Sequence, residues 1–272
     1  MNIMRKVNRY LFLFSVVLLF TTQLSAQECK RIISLAASIT KNLCLLDVKD
    51  RIVGCTQYCE LSGKQNVPIV ADAINVNIEK IVNLKPDIVI ASGLTHPRII
   101  AALQKMGIRT VHWHQPKTFN EICNQLEELG KICGKEETAK RYVRESNERL
   151  SQIAKPAQGK KIFFEQGANP LFTVLPDSFM NDYILLLGGK NICDDLKTGI
   201  VSREMVLVRN PDIILIGGMG GMNQTEIAEW GKYSTVNAVK NKQIFIVGTE
   251  ACTPTPVIFV DVLEKLAKEI IQ

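Results

Sequence analysis

Apolar residues gather in short runs along this chain, at 31–35, 51–55, 87–91, 110–113, 161–165, 212–217 and 243–247. Runs of this length with amphipathic segments between them predict parallel strands joined by helices. Their number predicts two α/β units. The chain also repeats itself: residues 77–90 (Asn-Ile-Glu-Lys-Ile-Val-Asn-Leu-Lys-Pro-Asp-Ile-Val-Ile) resemble 202–215 (Ser-Arg-Glu-Met-Val-Leu-Val-Arg-Asn-Pro-Asp-Ile-Ile-Leu). Glu79 and Glu204 open the matched stretch, and the register is gapless from each through Pro-Asp into a strand. Such a recurrence predicts two lobes of related local architecture.

Between the copies, residues 135–155 are rich in charge, with Ala139, Tyr142, Val143, Leu150 and Ile153 at partly helical spacing. As one helix this segment is about 31 Å long at ~1.5 Å per residue. It predicts a stiff strut, because a flexible hinge is rich in Gly and Ser, and Pro156 marks its end. The expected organisation is an N-terminal α/β lobe over 27–134, a connecting helix over 135–156 and a C-terminal α/β lobe over 157–272. Each lobe holds a central parallel sheet.

Residues 1–26 read as an export signal: a basic stretch ending at Arg9, an apolar run over 11–20, then Leu24-Ser25-Ala26 with cleavage expected after Ala26. The apolar run is about half the ~20 residues that span a bilayer. A lipoprotein anchor on Cys29 is disfavoured, since Glu28 stands where a small residue is normal. The expected location is therefore periplasmic. Composition agrees with a globular chain: 46% of the 272 residues are hydrophobic and 22% charged. Removing Arg5, Lys6 and Arg9 takes the formal net charge from +6 to +3, too small and dispersed for nucleic acid.

All eight cysteines (Cys29, Cys44, Cys55, Cys59, Cys123, Cys133, Cys193 and Cys252) follow the signal, where an oxidising compartment permits disulfides. Their number does not give a pairing. Cys55 and Cys59 are spaced loosely like metal ligands, but no second Cys or His pair follows closely. Buried thiols or ordinary disulfides are the preferred reading over zinc.

Conventional catalytic signatures are missing: no Gly-Lys-Ser/Thr phosphate loop, no His-Glu-x-x-His and no Gly-x-Ser-x-Gly. Gly217-Gly218-Met219-Gly220-Gly221 lacks the phosphate-binding spacing and reads as a loop. These motifs leave an enzyme unsupported without excluding one.

From 31–35 through 77–92, the strut, 166–173, 201–218 and 230–247, the chain resembles the periplasmic solute-binding proteins with a long connecting helix. These serve ABC importers of cobalamin, haem and ferric siderophores, and the cobalamin-binding members are most similar. The resemblance implies two lobes around a shallow cleft and a cargo that is large and metal-containing: cobalamin or a related corrinoid, alternatively haem or a ferric siderophore. It implies no resident cofactor and no protein-bound metal. A membrane permease with its ATPase is the implied partner, and a monomer the implied state. The rival class is a tetrapyrrole- or metal-handling enzyme on a similar scaffold.

Ligands of open α/β sheets sit at the carboxyl ends of strands. That rule selects Tyr58, residues 92–96 with His96, His114, the 167–172 loop with Asn169 and Phe172, and the 250–255 loop with Glu250, Ala251, Cys252 and Thr253. Tyr58 and Phe172 offer flat faces to a macrocycle. His96 and His114 could hydrogen-bond a ligand or coordinate its metal, or be ordinary surface histidines. Asn77 and Ser202 are good helix caps, which puts Glu79 and Glu204 at the second helical position. There a carboxylate complements the helix dipole, and in the related proteins a glutamate so placed on each lobe contacts permease arginines. Two departures stand out. Many relatives carry Ser-Pro-x-x-Thr-Glu where this chain has Ala36-Ala37-Ser38-Ile39-Thr40-Lys41, and Ala251 stands where an aromatic is expected.

Overall fold

The computed structural model describes residues 29–271 apart from 63–66, 73–74 and 218–222, and the side chains of 223 and 224. The export signal and most of the Gly217–Gly221 stretch lie outside the described residues. All seven expected strands are present. In the first sheet β1 (Ile32–Ser34), β2 (Ile52–Thr56), β3 (Ile69–Ala71), β4 (Ile88–Ala91) and β5 (Thr110–His112) lie in the order β3-β2-β1-β4-β5, all parallel. The second holds β6 (Lys161–Ala168), β7 (Leu171–Thr173), β9 (Ile213–Ile216) and β10 (Ile244–Ile246) in the order β10-β9-β6-β7, with the short β8 (Lys190–Asn191) also beside β6. The seven strands read from the sequence pair in parallel as expected, and β7, which was not among them, folds back antiparallel on β6.

The central strands are buried on both faces, which is why they read as continuous apolar runs. Alternate residues go to opposite layers: Ile32, Ile88 and Ile90 enter one core, and Ile33, Val89 and Ala91 the other. In the second sheet Ile162, Phe164, Ile213 and Leu215 face one side, and Phe163, Ile214 and Ile216 face Trp230 on the other. No helix among the described residues is long and apolar enough to cross a membrane.

The repeat extends to backbone detail. Each copy is a short helix, α2 (Ile78–Asn83) or α7 (Arg203–Arg209), followed by a residue of positive φ and then a strand. Lys85 (φ 44°) and Asn210 (φ 47°) are that residue, each just before the proline. Asp87 then accepts the Lys30 and Arg31 amides at 2.8 Å, and Asp212 accepts the Lys161 amide at 2.9 Å. Both aspartates thus fasten their strand to the start of its neighbour.

The strut is the second arm of a helical hairpin. Helix α4 (Phe119–Cys133) is capped by Thr118, whose Oγ1 accepts the Glu121 amide at 3.2 Å, and ends on left-handed Gly134 (φ 66°). Helix α5 (Glu136–Gln152) then runs back along it. It begins and ends inside the expected 135–155. Phe119, Ile122 and Cys123 join the core of the second sheet, whereas Leu126, Leu129 and Cys133 join that of the first. Arg149 of α5 donates to Asp261 (2.6 Å) and Glu264 (2.9 Å) of α10 (Pro256–Ile271).

The hairpin closes through Gly130, where a Cβ would stand 2.6 Å from that of Ala139. Gly130→Ala is expected to cost about 1–3 kcal/mol by overpacking. Thermal unfolding checks this, and adding Ala139→Gly should recover part of the loss.

Candidate functional site

The carboxyl ends of β2, β4 and β5 lie along one edge of the first sheet. After β2 the Cys59 amide donates to the Thr56 carbonyl at 3.1 Å, so the chain turns with Tyr58 at its tip, 59% exposed. After β4 the Thr95 amide donates to the Ser92 carbonyl at 2.9 Å, and Leu94 projects with 84% exposure. His96 caps helix α3 (Pro97–Lys105), its Nδ1 accepting the Arg98 amide at 3.1 Å. Beyond β5, His114 is exposed and its Nε2 lies 3.3 Å from Glu121. His112 Nε2 lies 3.0 Å from the Ser92 carbonyl, tying these two loops together. The histidines thus have partners that do not require a metal. Among the described residues no group of three or more His, Cys, Asp or Glu could hold a metal ion.

The second sheet presents the β6–β7 hairpin. Asn169 is exposed at its turn, before a cis peptide to Pro170, and Phe172 is 38% exposed. The Phe172 ring lies on Gly199, where a Cβ would come within 2.3 Å of it. Glycine therefore gives the ring its seat. Beside it Ile200 bridges to Phe172 and is 62% exposed. Leu94 falls in the 92–96 loop selected from the sequence, whereas Ile200 was not singled out. Exposed aliphatic side chains give no pattern until the aromatic beside them is located.

After β10 a turn of 3-10 helix (Thr249–Cys252) places Glu250 outward, with Cys252 and Thr253 half-buried. Ala251 is a correction. It is fully buried in the second core, with its carbonyl facing the Tyr183 hydroxyl at 3.4 Å, so its side chain does not face a ligand. A cavity of about 250 Å³ lies between this loop and α10, lined by Val247, Glu250, Ile258, Asp261 and Lys265 among others. It contains neither Tyr58 nor Phe172 and is below the ~300–1,000 Å³ usual for ligand pockets.

The two repeat helices begin as expected. Asn77 Oδ1 accepts the Lys80 amide at 2.8 Å and Ser202 Oγ accepts the Met205 amide at 3.2 Å. Glu79 and Glu204 occupy the second helical position, both exposed. The Glu204 carboxyl is held below its ordinary range by its own backbone amide and the Ser202 hydroxyl.

Behind α7 lies a buried polar network that sequence reasoning missed. Glu165 on β6, 1% exposed, accepts the Trp230 indole N–H at 2.6 Å. Arg203 pairs with buried Glu226 and stacks 4.6 Å from the Trp230 ring centroid. Burial raises the Glu165 carboxyl to about 7, helped by Glu226 and opposed by Trp230 and Arg203. An unfolded glutamate ionises near ~4.3. Between those values the unfolded chain sheds a proton that the folded protein keeps. This site's contribution to stability is thus greatest in acid and falls as pH rises through that window. Glu165→Gln is expected to gain on the order of 2 kcal/mol at pH 8 and almost nothing at pH 4. Thermal unfolding at both pH values checks it, and an equal shift at the two would refute the linkage.

Two α/β sheets joined in the chain by a helical segment, with loops at the carboxyl ends of their parallel strands, define the class of fold. Residues 32–251 match the model of the periplasmic binding protein family, and the chain belongs to it. It is 29% identical to an uncharacterised ABC transporter substrate-binding lipoprotein, YvrC, of Bacillus subtilis, over 90% of this chain and 81% of that one. A solved Staphylococcus epidermidis protein, described as a possible iron-binding periplasmic solute-binding protein, superposes with a TM-score of 0.76 at 27% identity, covering 90% of this chain and all of the other (100%). The periplasmic vitamin B12-binding protein BtuF of Vibrio cholerae superposes with a TM-score of 0.74 at 26% identity, over 89% of this chain and 97% of that one.

Proposed function

We propose that this protein captures cobalamin or a related corrinoid outside the cytoplasm and presents it to the permease of an ABC importer. The carrying observation is the pair of exposed aromatics, Tyr58 in the turn after β2 of the first sheet and Phe172 on β7 of the second. Ile200 bridges to Phe172 and extends its apolar surface, and Leu94 is a further exposed apolar side chain at the strand ends of the first sheet. On this reading the two edges face one another across a cleft, and a large, flat ligand is held by burial of apolar area, worth about 1.5–3 kcal/mol per aromatic. Asn169, Glu250, Cys252 and Thr253 provide polar contacts at its rim, with His96 and His114 at the opposite rim. Glu79 and Glu204 engage permease arginines, one from each lobe. The organisation proposed is a lobe over 27–134, a connector over 135–156 and a lobe over 157–272.

Export with cleavage after Ala26 is part of the same reading. Cys29 is 3% exposed within the first core, which supports a role in packing rather than as a lipid anchor. A second reading, a haem or ferric-siderophore carrier, is favoured by the iron-binding description of the Staphylococcus protein. Titration with cyanocobalamin, cobinamide, haem and ferric siderophores separates the two. Saturable 1:1 binding of a corrinoid is expected. Binding of haem or a siderophore with no corrinoid affinity would replace the first reading with the second.

A further inference from the structure

The turn that carries Tyr58 is bracketed by cysteines. Cys55 stands in β2, fully buried, and after the Thr56 turn Cys59 comes back beside it, 5% exposed. Cys55 packs in the same buried cluster as the Cys59 sulfur. Two hydroxyls also converge on that sulfur, Thr40 Oγ1 of helix α1 (Ala37–Leu45) at 3.0 Å and Thr56 Oγ1 at 3.3 Å. The neighbouring Cys55 and these donors hold Cys59 down to about 6 despite its burial, whereas Cys55 is pushed up. The hydroxyl donors favour Cys59 as the nucleophile, with Cys55 beside it in the same cluster. Other thiols differ: burial raises Cys123 to about 12 and raises Cys193 and Cys252. Cys44, exposed on α1, is raised by burial and by the charge of Glu60, with a smaller influence from Cys59.

We propose that Cys55 and Cys59 form a reversible dithiol–disulfide pair whose closure clamps the Tyr58 turn. The oxidant is a disulfide, either a small molecule such as oxidised glutathione or a thiol–disulfide oxidoreductase. Local opening of the turn, whose Gln57 and Tyr58 are already exposed, admits it. The Cys59 thiolate attacks one sulfur of the donor, forming a mixed disulfide and expelling the other sulfur as a thiolate. Cys55 then loses its proton to solvent and attacks Cys59 Sγ, expelling the second donor thiolate. The pair is oxidised by two electrons and the donor is reduced to two thiols, with the protons of Cys55 and Cys59 balancing them. A bridge across Thr56, Gln57 and Tyr58 removes the freedom of the turn to open. Because no ligand takes part, the proposal holds whichever molecule Tyr58 meets.

The test equilibrates the purified protein with oxidised or with reduced glutathione, quenches it in acid, alkylates it and maps the peptides by mass spectrometry. Hydrogen–deuterium exchange is followed on the same samples. A Cys55–Cys59 linked peptide, lighter by two hydrogens and unalkylated at both positions, is expected only in the oxidised sample. The amides of Gln57, Tyr58 and Cys59 should exchange about tenfold slower there, and Cys55→Ser should abolish the difference. Alkylation of both cysteines after oxidation would overturn the pair, as would a Cys44–Cys59 linkage. A bond that leaves the exchange of the turn unchanged would overturn the clamp.

Discussion

Tyr58→Ala is expected to weaken corrinoid binding by about tenfold or more while leaving the melting temperature nearly unchanged. The side chain is 59% exposed at the tip of a turn and belongs to none of the core clusters, so folding owes it little. Binding owes it more, because a ligand laid on the ring removes that area from water. Phe172→Ala should lose a similar factor in affinity and also some stability, since its ring covers Gly199. The two residues sit on different sheets, so the losses in the double variant should add. Calorimetric titration with cyanocobalamin reads all three variants. Unchanged affinity in a folded Tyr58→Ala protein would remove that residue from the site and with it the main support for a flat ligand held between aromatics.

The parts of the fold legible in sequence are those where one physical signal dominates. Ile88-Val89-Ile90-Ala91 is buried on both faces and admits few readings besides a central parallel strand. Three strands were missed: Ile69-Val70-Ala71 is apolar but only three residues long with Ile69 exposed, and the other two lack that signal. Leu171-Phe172-Thr173 alternates buried, exposed and buried, and depends on the turn at Asn169-Pro170 to reach β6. Lys190-Asn191 is only two residues and pairs with the start of β6. The connecting helix stops at Gln152 rather than 155, in keeping with the steric bias against helical backbone just before Pro156.

The candidate site divides in the same way. Helix caps and the acidic second position are local, so Asn77, Glu79, Ser202 and Glu204 were readable. Ala251 was misplaced because the 249–252 segment winds into a tight turn whose successive side chains point in different directions, Glu250 out and Ala251 in. The network of Glu165, Trp230, Glu226 and Arg203 draws on β6, α7 and the helix Asn223–Gly231. No local pattern announces contacts between segments so far apart, and they become visible only once the sheet brings them together.

Reversing both repeat glutamates, Glu79→Lys with Glu204→Lys, is expected to lower cellular uptake by about tenfold or more, because charges placed against like charges at an interface cost several kcal/mol. Each single reversal should have a smaller effect. Both carboxylates are exposed at the first turn of equivalent helices, one beside each sheet, and on the proposed reading they face the permease rather than the ligand. Ligand affinity should therefore be unchanged. If the glutamates serve only the dipoles of their own helices, reversal removes about 0.3–1 kcal/mol at each start. In that case the melting temperature drops slightly and uptake is intact. The Ser202 hydroxyl and the backbone amide that hold Glu204 ionised show that some of this local stabilisation is present, so a small thermal shift alone does not argue against docking. Uptake, affinity and thermal stability measured on the same double variant separate the two roles. Acidic replacements of the facing permease arginines should partly restore transport, and normal uptake by the double variant would end the docking role.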